Sequence, residues 1–173
     1  MIQSITSSVT AFAASLNGAA SPAGSSAQGH FVLEDFFEGH TFADATFSAI
    51  NGVRRHFRIE INGVWSGGVL SLHEVFTFDD GETDQKTWHF EKVAKGKYIA
   101  NREDLLQPVE AVIRDDTLRY TYSLYLDSDQ KKNVVLFKDR ITLLDDHTLK
   151  NRAVVHKFGL PVGMVKGTFT KHR

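Results

Sequence analysis

Residues 64–82 read V-W-S-G-G-V-L-S-L-H-E-V-F-T-F-D-D-G-E. Leu70, Leu72, Phe76 and Phe78 fall on one parity, and Ser71, His73 and Thr77 on the other. That period of two is the signature of a half-buried β-strand. Gly67-Gly68 interrupts it, where glycine inside a strand marks a bulge or sharp bend. The stretch therefore reads as one long, bent strand closed by the turn at 79–82. Glu74 is the exception, a carboxylate on the apolar parity. A bent strand that carries a carboxylate inward suits a small barrel with a partly polar interior.

The neighbouring segments repeat the pattern. Strands are expected at residues 44–50, 53–61, 83–93, 97–102, 109–114, 117–126, 132–144, 149–156 and 162–171. Asn51-Gly52 and Asn62-Gly63 are strong hairpin signals and are expected to turn the chain. Residues 117–126 alternate most cleanly, with Leu118, Tyr120, Tyr122, Leu124 and Leu126 on one face. In 53–61 the inward parity carries Val53, Phe57, Ile59 and Ile61 with Arg55 among them. Nine or ten strands joined mainly by short turns make an antiparallel meander. Closing it hides both sheet edges, which predicts an all-β, up-and-down, calycin/lipocalin-like barrel of about eight to ten strands. A barrel of that size holds side chains and one small ligand. A sandwich with Greek-key crossings needs longer connections than these.

The amino-terminal part differs. Ile2, Ile5, Val9, Phe12 and Leu16 recur at helical spacing, opposite a face without charge. Residues 21–29 are a Ser/Ala/Gly linker. Residues 1–29 thus form a separate segment before a barrel domain at 30–173. A helix on the barrel, a disordered tail, an interfacial helix and a secretion signal are all open readings of it. The last lacks a positively charged start and an uninterrupted apolar core. Residues 31–38, F-V-L-E-D-F-F-E, are expected to make one or two helical turns. They would pack Phe31, Leu33, Phe36 and Phe37 on the barrel mouth.

Composition narrows the function classes. A formal net charge of -1 provides no footprint for nucleic acid. The absence of cysteine excludes disulfides, thiol nucleophiles and thiolate metal sites. No apolar run reaches the ~20 residues of a transmembrane helix. The compartment stays open between cytoplasm and periplasm. No nucleophile elbow, phosphate loop or nucleotide-binding glycine fingerprint is present. The eight histidines show no short ligating pair; His73 and His89 share an outward face but lack a third ligand. No cofactor is expected.

Several runs, taken in order, resemble the bacterial family of domain of unknown function thirty-eight thirty-three, whose members are often classed as lipoproteins. They are Phe36-Phe37-Glu38-Gly39, Val53-Arg54-Arg55-His56-Phe57 and Gly63-Val64-Trp65-Ser66-Gly67. Leu72-His73-Glu74, Phe78-Asp79-Asp80-Gly81-Glu82, Asn151-Arg152, Lys157-Phe158-Gly159 and Val162-Gly163 follow. The resemblance spans roughly residues 33–170. It implies a calycin-like barrel, supplies no established activity and favours a lipid ligand. The sequence departs from the family in lacking a lipobox cysteine. Where the family has an acidic pair before an aromatic, it reads Phe137-Lys138-Asp139-Arg140-Ile141.

The candidate site follows from polar residues on apolar parities. An unpaired buried charge costs several kcal/mol or more, so Arg55 and Glu74 need partners. One reading is a site where Arg55, oriented by Glu74, meets the carboxylate of a ligand; the other is a structural ion pair. Asp139 raises the same question on its strand. Of the adjacent Asn151 and Arg152, one faces inward, and Arg152 with Lys157 makes either a basic spot at a barrel end or a solvated surface. Trp65, Phe76, Phe78, Trp88, Tyr120 and Tyr122 are expected to line the interior, around a cavity or a filled core. The ligand-binding set is therefore Arg55, Glu74, Phe76, Trp88, Tyr120, Tyr122, Asp139 and Arg152. The expected function is non-catalytic binding of an apolar small molecule or lipid. Alternatives are a lipid isomerase or cyclase using Glu74, and a protein-interaction module.

Overall fold

The computed structural model of the protein describes residues 30–171. The readings of residues 1–29 lie outside them. The described chain makes a short helix, α1 (Leu33–Phe37), and then ten strands. These are β1 (Gly39–Ala49), β2 (Arg54–Ser66), β3 (Val69–Phe78), β4 (Thr83–Ala94) and β5 (Lys97–Asn101). They continue as β6 (Val109–Arg114), β7 (Thr117–Asp127), β8 (Lys132–Asp145), β9 (Thr148–Lys157) and β10 (Leu160–Lys171). Every strand is hydrogen-bonded to its sequence neighbours, and β1 pairs antiparallel with β10 to close an up-and-down barrel. Closure leaves no free sheet edge among these strands, which removes the surface an edge-docking partner would need.

Two expectations about turns are corrected. Asn62-Gly63 is not a hairpin; β2 runs straight through it to Ser66. The turn lies at Gly67-Gly68, so residues 64–82 are the end of β2 plus all of β3 rather than one bent strand. The reason is conformational. Gly67 and Gly68 both have positive φ, +58° and +84°, as the favoured two-residue hairpin turn requires. Gly63 serves another need. A Cβ there would lie 1.8 Å from the Phe37 carbonyl oxygen, so glycine at this point lets α1 sit down on the wall.

Helix α1 closes one end of the barrel. Phe31, Leu33, Phe36 and Phe37 are all buried, and Phe37 meets Phe169 of β10 edge-on at 5.5 Å. Four polar contacts fasten it. The Phe31 amide donates to Asp116 Oδ1 at 2.9 Å, in the β6–β7 turn. Lys171 donates to the Asp35 carbonyl. Glu34, itself buried, accepts from the Tyr98 hydroxyl at 2.6 Å and from Lys92. Around this end the core is solid: Leu70, Leu118, Leu149 and Tyr98 are 1% exposed or less. The opposite end has no such helix among the described residues, and Phe57, Phe76, Phe78, Leu126 and Phe137 stay partly exposed there.

Candidate functional site: a polar cluster in an aromatic cavity

A cavity of about 200 Å³ occupies the barrel interior, from α1 at one end to the opposite rim. Strand alternation explains its lining. Inward positions at alternate residues along the strands supply the lining, and most are large and apolar. Of the eight expected site residues, seven line it: Arg55, Glu74, Phe76, Trp88, Tyr120, Tyr122 and Asp139. The eighth, Arg152, is exposed on the outer face, and its neighbour Asn151 is the one that points in. Of the two readings of Arg152 with Lys157, the exposure of Arg152 fits the solvated surface. Trp65 packs on the core but does not line the cavity. His73 and His89 face outward and bond Thr87 and Ser71.

The aromatic wall is continuous. Trp88 meets Tyr120 and Tyr122 edge-on at 5.7 and 5.2 Å. Tyr122 stacks on Tyr120 at 5.2 Å and on Phe137 at 5.3 Å. Nearer the rim, Phe57, Phe76 and Phe78 form a second group.

The charged residues sort differently from expectation. Arg55 and Glu74 are both buried in the same cavity, yet they are not partners. Arg55 Nη2 donates to Asp80 Oδ2 at 2.8 Å and to Glu82 Oε2 at 2.9 Å. Its guanidinium lies 4.0 Å from the centre of the Phe78 ring. The β3–β4 turn, folding back over the rim, brings those two carboxylates to Arg55. Adjacent strands alone do not place them.

The cation nearest Glu74 in effect is Arg102, which the sequence reading missed. It follows β5 in the irregular segment before β6. That segment is tied to β7 through Leu106 N to Ser123 O and Tyr125 N to Asp104 O. Arg102 thereby enters the cavity wall, 4.6 Å from the centre of the Trp88 ring. Asp104, 1% exposed, accepts from it twice, Nε at 2.7 Å and Nη2 at 3.0 Å. Burial alone would lower the Arg102 pKa; the Asp104 carboxylate more than offsets this and holds the guanidinium charged. Outside strands, no parity rule indicates which way a side chain points, so Arg102 and Asp104 left no periodic signal.

Glu74 and Asp139 are the remaining interior carboxylates. Asp139 accepts from Asn151 Nδ2 and from the Tyr122 hydroxyl, the latter at 3.3 Å. Burial pushes its carboxyl up to about 6, against the pull of those hydrogen bonds. Glu74 is 8% exposed and accepts no hydrogen bond from the described residues. Burial pushes it up to about 7; Arg102 opposes the rise, and Asp139, Asp104 and Glu103 add to it. Burial likewise raises the phenols of Tyr120 and Tyr122, with Asp139 adding to both. Lys86, opposite Glu74 on β4, lies 3.8 Å from both Asp84 and Glu103. The arrangement offers two carboxylates that titrate near neutrality, fixed in an aromatic chamber.

Comparison with solved structures places this barrel among calycin-like folds. The S-type phycobiliprotein lyase CPES from Guillardia theta superposes with a TM-score of 0.62 at 10% identity, covering 81% of this chain and 90% of the lyase. A protein of unknown function from the DUF3598 family of Nostoc punctiforme gives 0.57 at 12% identity, covering 83% of this chain and 50% of that one. Rv2717c from M. tuberculosis gives 0.55 at 12% identity, covering 79% and 93%. At such identities the likeness is one of fold. No curated protein matches the sequence. The family model described as "Protein of unknown function (DUF3833)" matches residues 12–171, and the chain belongs to that family.

Proposed function

We propose that this protein binds an apolar small molecule, of the size of a lipid fragment, inside the barrel and releases it unchanged. The observation that supports this most is the cavity itself: about 200 Å³ of space left among aromatic walls, with a few convergent polar groups and one end that no helix among the described residues covers. An apolar chamber with a small number of placed polar groups is the usual makeup of a ligand pocket. A barrel evolved for stability alone would gain from filling that space, since each cavity forfeits packing energy. The calycin-like fold it shares with a phycobiliprotein lyase is in keeping with this reading.

Native mass spectrometry and lipid extraction of the purified protein test the proposal. The expected result is a copurifying small molecule. Ala153→Phe, which places a ring in the cavity from β9, is expected to abolish its retention while the barrel still folds. The reading is overturned if no ligand copurifies and the protein takes up no naphthalene-sized probe.

A second reading is catalytic. Carboxyls poised at about 7 and about 6 suit general acid–base work at neutral pH, for instance a proton shift within a bound lipid-like substrate. Glu74→Gln separates the two: retained binding with lost turnover favours the enzyme.

A further inference from the structure

Among the described residues, every cation that lines the cavity already has an anionic partner. Arg55 is shared by Asp80 and Glu82, Arg102 is held two-handed by Asp104, and Lys86 sits between Asp84 and Glu103. The interior anions are not matched in the same way. Asp139 has only neutral donors among the described residues, the side chains of Asn151, Tyr122 and Tyr120 and the Arg140 backbone amide, and Glu74 accepts no hydrogen bond from the described residues although it is more than nine-tenths buried. The chamber is therefore short of positive charge. A ligand ending in a carboxylate would bring a third anion beside Glu74 and Asp139, and Arg55, assigned above from sequence to receive it, is already engaged. A ligand ending in a cation would supply the missing partner in a desolvated site, where such a pair is strongest. The surrounding π faces favour a cation as well.

We propose that the cavity selects an apolar molecule whose polar end is a protonated amine, with Glu74 as its direct partner and Asp139 as the second carboxylate of the site. This rests on the ligand-binding reading above and specifies the chemistry of that ligand.

The test uses the full chain at pH 8 and three matched probes: 2-naphthylmethylamine, 2-naphthylmethanol and 2-naphthoate. Binding is followed by calorimetry. The amine is expected to bind about ten-fold tighter than the alcohol, and the carboxylate weaker than the alcohol. Glu74→Gln is expected to erase the amine's advantage over the alcohol, and continued binding of the alcohol reports an intact cavity. Asp139→Asn is expected to reduce the advantage in part. Tighter binding of naphthoate than of the amine overturns the proposal, as does an amine preference that survives Glu74→Gln. Binding of the alcohol with no preference for the amine defeats this inference alone; no binding of any probe defeats the ligand-binding reading with it.

Discussion

Glu34 and Glu74 are both buried glutamates, one at each half of the same barrel, and their surroundings are opposite. Glu34, under the helical cap, is met by the Lys92 ammonium and the Tyr98 hydroxyl. Burial alone would raise its pKa, but these donors hold it below the usual carboxylate range. Glu74, in the chamber, has no such donors, and burial pushes it up to about 7. The first carboxylate is part of what fastens α1 to the wall. The second is held in the interior at a cost to stability, and the fold bears that cost where the cavity lies. A satisfied buried charge points to architecture, and an unsatisfied one beside empty space points to a ligand.

Three substitutions press on this contrast. The largest effect is expected from Arg102→Ala, which leaves Asp104 buried and unpaired at the edge of the chamber. Loss of one partner of a buried ion pair costs about 3–5 kcal/mol. Urea denaturation checks it, and the double change Arg102→Ala with Asp104→Ala is expected to recover part of the loss. Additive losses would show that the pair is not the source.

Glu74→Gln is expected to stabilise the protein at pH 8. A carboxyl whose folded pKa is raised binds protons more readily folded than unfolded. Its favourable contribution is complete below the unfolded value and is lost as pH rises through about 7. The gain at pH 8 is of the order of 3 kcal/mol, shrinking toward zero near pH 4. Thermal melts of both proteins across that range measure it, and a pH-independent difference would contradict the ionised, unpaired state of Glu74.

Glu34→Gln is expected to act with the opposite sign and less strongly, a loss of about 1–2 kcal/mol at pH 7. Because the folded pKa of Glu34 is depressed, its contribution is present above the unfolded value and vanishes as pH falls through the folded one. The loss should therefore disappear in acid. If Glu34→Gln and Glu74→Gln shifted stability in the same direction at pH 8, the division between a fastened end and a receptive end would fail.

Much of this was written locally. Alternation on β2, β3, β7 and β8 is a property of the extended chain, so the inward placement of Arg55, Glu74, Tyr120, Tyr122 and Asp139 follows from parity alone. The meander follows from the short turns that pair consecutive strands, and its closure through β1 and β10 from the need to hide two sheet edges. Where local rules fell short, two kinds of geometry intervened. Asn62-Gly63 carries a turn sequence, but the demand for close contact with Phe37 and the better turn at Gly67-Gly68 overrode it. Asn151 and Arg152 are adjacent, and only the pairing of β9 with β8 and β10 decided that Asn151 faces Asp139.

The sequence by itself determined that successive strand residues take opposite faces, because side-chain direction in a strand is set by backbone geometry within two residues. The tertiary structure alone decided which charges meet. Arg55 finds Asp80 and Glu82 because a turn folds over the rim, and Arg102 reaches the wall because an irregular segment is tied to β7. Charge pairing depends on distances across a closed cylinder, and those exist only once the cylinder has closed.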